Sequence, residues 1–315
     1  MTRAERVDDG LRVAAVRKRY DDVVALDGVD LHVRHGALLG LVGGNGAGKT
    51  TTMRIVLGVL SADAGEVTLD GRPLDAATRR RIGYMPEERG LYAKMKVRDQ
   101  LEYLCRLHGL GPEQSRRSVA GWLERLGIAE VRDAPVDTLS HGNQQRVQLT
   151  AALAHDPDVL VLDEPFSGLD PVAVQVMSEV LRERARDGVP VVFSSHQLDL
   201  VEQLCDDVAI LSHGRTVAAG DIDSLRGSGP IRVEVGSRHL RPGWAATVPG
   251  AVEISVDGAG SVVELPALPD ADGASDRIER LLEPVLAAAR SYGPVTEFRR
   301  VRPSLLELFT GAVTR

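Results

Sequence analysis

The chain has 315 residues, 43% of them apolar and 26% charged, which are globular proportions that exclude disorder along most of its length. Lys and Arg number 38 against 45 Asp and Glu, a formal charge of −7. That acidic balance, with 2 Trp, 5 Tyr and 4 Phe, argues against a protein whose main work is gripping nucleic acid.

Met1 to Gly10 is polar and lacks the apolar core of a signal peptide. Short β segments follow at Leu11–Val16, Val29–Val33, Leu38–Val42 and Glu66–Asp70, with turn signals at Ala64-Gly65 and Asp70-Gly71. Lys49 to Leu60 reads as a helix, apolar on one side. From Val97 to Leu139 the pattern is helical, with Val97, Leu101, Leu104 and Leu107 at helical spacing. Asp158–Asp163, Pro190–Ser194 and Asp207–Leu211 are apolar strands alternating with helical stretches. That alternation predicts a parallel sheet covered on both faces. Gly227-Ser228-Gly229-Pro230 reads as a linker. Beyond it, strands at Ile231–Val235, Ser261–Leu265 and Val295–Val301 and a helix around Ile278–Ala289 predict a small α+β unit. Pro284 is expected to kink or split that helix.

Cys105 and Cys205 are too few for a disulfide framework, so a reducing compartment is expected. Cys105 and His108, three apart, read as a buried thiol beside an incidental histidine. No apolar run approaches the roughly 18 residues of a membrane-spanning helix. A cytoplasmic chain that reaches a membrane through a partner is the expectation.

Gly43-Gly44-Asn45-Gly46-Ala47-Gly48-Lys49-Thr50-Thr51 follows an apolar strand and opens a helix. Glycines there let successive N–H groups converge on phosphate oxygens, and the helix N-terminus adds a positive dipole end. Lys49 would reach the terminal phosphates, and the Thr50 hydroxyl would ligate Mg²⁺. Val159–Leu162 is an apolar strand ending in Asp163 and Glu164. Asp163 would face the metal, and Glu164 would polarise the attacking water. Together the two motifs point to nucleotide hydrolysis.

Leu139-Ser140-His141-Gly142-Asn143 resembles the signature of ABC-type ATPases, and with those two motifs the chain resembles an ABC transporter nucleotide-binding subunit over about residues 11–226. The resemblance implies a P-loop α/β fold of ABC type with an antiparallel β subdomain and a helical subdomain (about 97–139), in a first domain of residues 1–226. A small α+β accessory domain of residues 227–315 follows. It assigns adenine stacking to Tyr20 and metal contact to Glu87 in Tyr84-Met85-Pro86-Glu87. Ser167-Gly168-Leu169-Asp170 becomes a dimer-contact loop, and His196 a switch histidine at the γ-phosphate. Ser140, Gly142 and Asn143 would face ATP on a second subunit. The catalytic set is Glu164, His196 and Lys49; the metal set is Thr50, Glu87 and Asp163. ATP and Mg²⁺ are the implied cofactors. A transmembrane permease and a second ATP-binding subunit are the implied partners, and no nucleic acid is expected.

Four positions depart from the usual pattern. His141 replaces Gly, Asn143 and Glu87 each replace Gln, and Gly44 replaces Pro. Similar variants, and an ending like Arg302-Pro303-Ser304-Leu305-Leu306-Glu307-Leu308-Phe309, occur in the sodium-export and drug-export-like subfamily, which implies export. The alternative is a soluble, non-transporting ABC ATPase in translation, DNA repair or regulation.

Overall fold

The computed structural model describes residues 10–88, 90–227, 230–266, 274–302, 304–307 and 310. The start before Gly10, Arg89, the Ser228-Gly229 part of the linker, and Pro303, Leu308 and Phe309 of the C-terminal motif lie outside them. The chain divides into two compact units, Met1–Gly220 and Asp221–Arg315.

The first unit opens with strands β1 (Leu11–Tyr20) and β2 (Val23–Val33), an antiparallel hairpin longer at its turn end than the sequence pattern suggests. Strand β3 (Leu38–Gly43) leads into helix α1 (Lys49–Val56), then β4 (Ala64–Leu69), β5 (Arg72–Pro73), the short helix α2 (Ala76–Arg79) and β6 (Ile82–Met85). Ala64-Gly65, expected as a turn, instead begins β4. Because β1 runs on past Val16, Ala64 gains a pairing partner at Arg17. The helical region consists of α3 (Val97–Leu107), α4 (Pro112–Arg125) and α5 (His141–Leu153). Leu107 is not part of its buried stripe but exposed. Strand β7 (Val159–Leu162), helix α6 (Pro171–Arg186), strand β8 (Val191–Ser195), helix α7 (Leu198–Leu204), and strands β9 (Asp207–Ser212) and β10 (Arg215–Asp221) complete the unit.

Two sheets result. One has the order β2-β1-β4-β5, the other β10-β9-β3-β8-β7-β6. In the second, β3 pairs in parallel with β8 and β9, and β7 with β6 and β8. Every residue of β3, β7 and β8 is buried, as a parallel sheet covered on both faces requires. The core joins the sheets: Val13, Val29 and Leu31 pack with Leu41, Met53 and Val161.

The second unit begins with helix α8 (Ile222–Gly227), so the division falls at Gly220 rather than at the Gly227 linker. Arg302 Nη1 donates to Asp223 Oδ1 at 2.6 Å, tying α8 into this unit. Strands β11 (Ile231–Gly236), β12 (Val252–Val256) and β13 (Gly260–Leu265), helix α9 (Ala274–Tyr292) and strand β14 (Glu297–Val301) follow. The sheet order is β12-β13-β11-β14, and its core is Val233, Val235, Trp244, Val263, Val285 and Ala289. Of the two outcomes expected at Pro284, the split does not occur: α9 runs on through it. It sits on an exposed stretch, and the carbonyl left without its N–H partner is that of exposed Arg280, which water can reach.

Cys105 is buried, and burial pushes its thiol up to about 11, so it stays protonated. His108 ends α3, donates from Nδ1 to the Arg80 carbonyl at 2.7 Å, and stacks on His155 with ring centroids 3.8 Å apart. Burial, then the neighbouring His108, push His155 down to about 4, against weaker pulls from the Ile82 and Ala151 backbone and the Asp156 charge. Between about 6.5 and 4 the unfolded chain binds a proton on His155 that the folded chain does not. Stability from this group is therefore whole above that window and lost as the pH falls through it, on the order of 3 kcal/mol in full. His155→Phe keeps a stacked ring without a titrating nitrogen. Its melting temperature should drop less between pH 7 and pH 5 than that of the parent, as calorimetry at both pH values would show.

Candidate nucleotide site

The loop between β3 and α1 is fixed from both sides. Ala47 N–H donates to the Gly44 carbonyl at 3.1 Å, the Gly214 N–H to Ala47 at 3.1 Å, and the Asp27 N–H to Gly214 at 2.7 Å. Gly48 has φ 105°, and a Cβ there would lie 2.5 Å from Leu26 Cδ2, so only glycine fits against β2. Gly48 is also the N-cap of α1 and offers no capping side chain, which leaves the first-turn N–H groups facing outward. Lys49 Nζ donates to the Gly43 carbonyl at 2.6 Å, so the ammonium lies over the loop.

A cavity of about 430 Å³ opens here, lined by Ala25, Gly44 to Thr51, Glu87, Asp163 and Glu164. Gly43 is buried just behind it as the last residue of β3. Phosphate-loop residues and acids separated by over a hundred positions thus share one wall. They meet because β3, β8 and β7 are neighbours in parallel, and the carboxyl ends of such strands are where ligands gather.

Ser194 on β8 links the two acids. Its Oγ donates to Asp163 Oδ1 at 2.5 Å and accepts from the Glu164 N–H at 2.8 Å. Asp163 is 1% exposed, yet its Oδ2 has no hydrogen-bond partner. A buried carboxylate oxygen left bare is costly unless a cation meets it. The neighbouring oxygen donors, the Thr50 hydroxyl and the Glu87 carboxylate, are hard ligands suited to Mg²⁺. Among the described residues, no three His, Cys, Asp or Glu side chains are grouped to hold a metal alone. That set suits an ion that takes its remaining ligands from phosphates and water. Burial, then the Asp163 charge, push the Tyr84 hydroxyl up, with Arg54 opposing and Glu87 adding to the rise.

Glu164 holds φ 49°, a left-handed conformation strained for a non-glycine residue. Its Oε2 lies 2.9 Å from His196 Nδ1. His196 is exposed beyond the end of β8 and joins the site through Glu164, outside the cavity lining.

The remaining expected residues lie apart. Tyr20 ends β1 opposite Val23, is 45% exposed, and is absent from the lining. Ser140 caps α5, accepting from the Asn143 N–H at 3.3 Å, with Gly142 in the same first turn. Neither Ser140, Gly142 nor Asn143 lines the cavity. Sequence reasoning missed two residues. Ala25 is ordinary and carries no signal. Ser194 had one: it is a hydroxyl inside a wholly buried apolar strand, where a polar group needs a reason.

The family model described as "ABC transporter" matches residues 26–167. The ABC transporter ATP-binding protein YhaQ of Bacillus subtilis (strain 168) is 45% identical over 218 residues, 69% of this chain and 73% of that protein. This chain belongs to the ABC transporter ATP-binding protein family. A Nod factor export ATP-binding protein I of Burkholderia pseudomallei (strain K96243) is 40% identical over 208 residues, 65% of this chain and 68% of its own. A solved structure of an ATP-binding subunit of an ABC transporter matches with a TM-score of 0.64 and 30% identity, covering 69% of this chain and 91% of that one. The chain is thus an ABC ATPase. Among its described residues, no helix is long and apolar enough to cross a membrane.

Ser194→Ala in this ABC ATPase leaves Asp163 Oδ1 and the Glu164 N–H without their shared partner. Chemical denaturation should show a loss of about 1–3 kcal/mol, the range for orphaning a buried polar group.

Proposed function

We propose that the chain pairs with a second ATP-binding subunit around two ATP molecules and drives a separate membrane permease, in the direction of export. The observation that carries this is the separation of two half-sites. The phosphate loop and acids share a cavity, while the capped start of α5 at Ser140 lies outside its lining. The sequence has one of each, so two chains in two-fold symmetry would complete both sites.

Within that reading, the loop N–H groups and Lys49 bind the phosphates, and Tyr20 stacks on adenine. Thr50, Asp163 and Glu87 hold Mg²⁺, which draws charge off the phosphates when bound. Glu164 takes the proton of the attacking water, and His196, 2.9 Å from it, keeps its carboxylate oriented. Ser140, Gly142 and Asn143 meet the γ-phosphate of the partner's ATP. That phosphate favours the closed pair because only there is it held from both sides, and its loss on hydrolysis lets the pair open. Glu87 carries the change toward the permease, at the inner face of the cell membrane. The name of the Nod factor export relative supports export.

Lys49→Ala should weaken ATP binding about tenfold or more, the worth of a charge-assisted hydrogen bond, in a fluorescent-nucleotide titration. Unchanged affinity would remove Lys49 from the phosphate site. Glu164→Gln should keep ATP binding, lose turnover by roughly 100-fold or more, and run as an ATP-dependent dimer on size exclusion. Tagged Glu164→Gln chain, purified from native membranes with ATP in mild detergent, should bring down a multi-helix membrane protein. Recovery with ribosomes or DNA, or from the soluble fraction alone, would overturn the transporter reading and leave the ATPase intact.

A further inference from the structure

His141 stands where the usual signature has Gly, and its contacts give it a task. It is the first residue of α5 and is exposed. Its Nε2 lies 3.0 Å from the Ser167 carbonyl oxygen. A carbonyl can only accept, so Nε2 carries the hydrogen and donates. The Ser167 N–H in turn donates to the Glu164 carbonyl at 3.2 Å. One residue, Ser167, links the imidazole to the strained turn that holds Glu164. The neighbouring residue makes room for the ring. Gly168 has φ 68°, and a Cβ there would lie 3.0 Å from His141 Nε2. A Cβ on Gly142 would rest 3.6 Å from Leu169 Cδ2, so the two segments also meet a second time.

We infer that His141 is a positioning residue for hydrolysis: its Nε2–H pins the Ser167 carbonyl and so fixes the turn that presents Glu164. The inference rests on Glu164 acting as the base. A glycine at position 141 has no side chain and makes no such bond, so this chain carries a brace that the usual signature lacks. The brace runs from the helix start aimed at one ATP to the carboxylate serving the other. It therefore joins the two half-sites carried by one subunit. Substrate contact is not required of the imidazole, so its loss should appear in kcat and not in ATP affinity.

The test uses three substitutions in the full chain. His141→Ala removes the donor. His141→Gln places an amide nitrogen the same number of bonds from Cα as Nε2 and still donates. His141→Glu has the same length and, ionised, only accepts. Steady-state ATPase should give a kcat about five- to tenfold lower for Ala and Glu, the worth of one hydrogen bond, with KM within about twofold and Gln close to the parent. Melting temperatures should stay level, since residue 141 is exposed. Equal kcat for Gln and Glu, or a kcat for Ala equal to the parent's, would overturn the inference. So would a weaker ATP-dependent dimer for His141→Ala in the Glu164→Gln background, because that result assigns the ring to phosphate contact. ATPase activity that survives Lys49→Ala or Glu164→Gln in a chain that keeps His141 would show failure of the underlying site assignment instead.

Discussion

The parallel register of β3, β8 and β7 holds three strand ends side by side, and the glycine loop, Ser194, Asp163 and Glu164 of the candidate site sit at that edge. Leu41 lies opposite Ser194, Val42 opposite Ser195, and Phe193 opposite Leu162. A slip of one residue in β8 would turn Ser194 to the other face and separate it from Asp163. The register is secured by burial on both faces, where apolar side chains of β3, β7 and β8 leave no alternative packing. Precision at the edge is thus a product of the core.

From that edge the chemistry becomes electrostatic. The loop gathers N–H dipoles and one ammonium, and carboxylates line the same cavity. Asp163 is buried with one oxygen bonded to Ser194 and the other bare. Glu164 is held in a left-handed backbone conformation by Ser194, with its side chain against His196. Strain and unmatched polarity collect in the same few residues, while the surrounding strands are regular and apolar. That division is expected where a rigid frame holds reactive groups in place.

The second unit is built on different terms. Its four-stranded sheet alternates buried and partly exposed positions along β11 and β13, so one face is apolar and the other charged. Ion pairs Arg232–Glu264 and Arg299–Glu234 lace the outer face. On the inner side, Trp244 donates from Nε1 to Ser261 Oγ at 2.9 Å, which in turn donates to the Ser255 carbonyl at 2.8 Å. A large ring is thereby buried with its one polar atom satisfied.

Much of this was legible in the residue order. The buried strands announce themselves as apolar runs, because parallel strands have no wet face. The phosphate loop is legible because its glycines and lysine act through local backbone geometry, and Ser140 and Asp170 are legible as caps because capping spans three residues. The β1–β2 extension, β12 and the tolerance of Pro284 were not, since each depends on what lies alongside. Long-range contacts are likewise invisible in a linear string: Ser194 bridging two acids, His196 against Glu164, His141 reaching Ser167. By itself, then, the sequence determined the fold class and marked the glycine-rich loop between β3 and α1, which depend on local pattern. Tertiary structure decided which side chains touch across distant strands, because those contacts are set by register and packing.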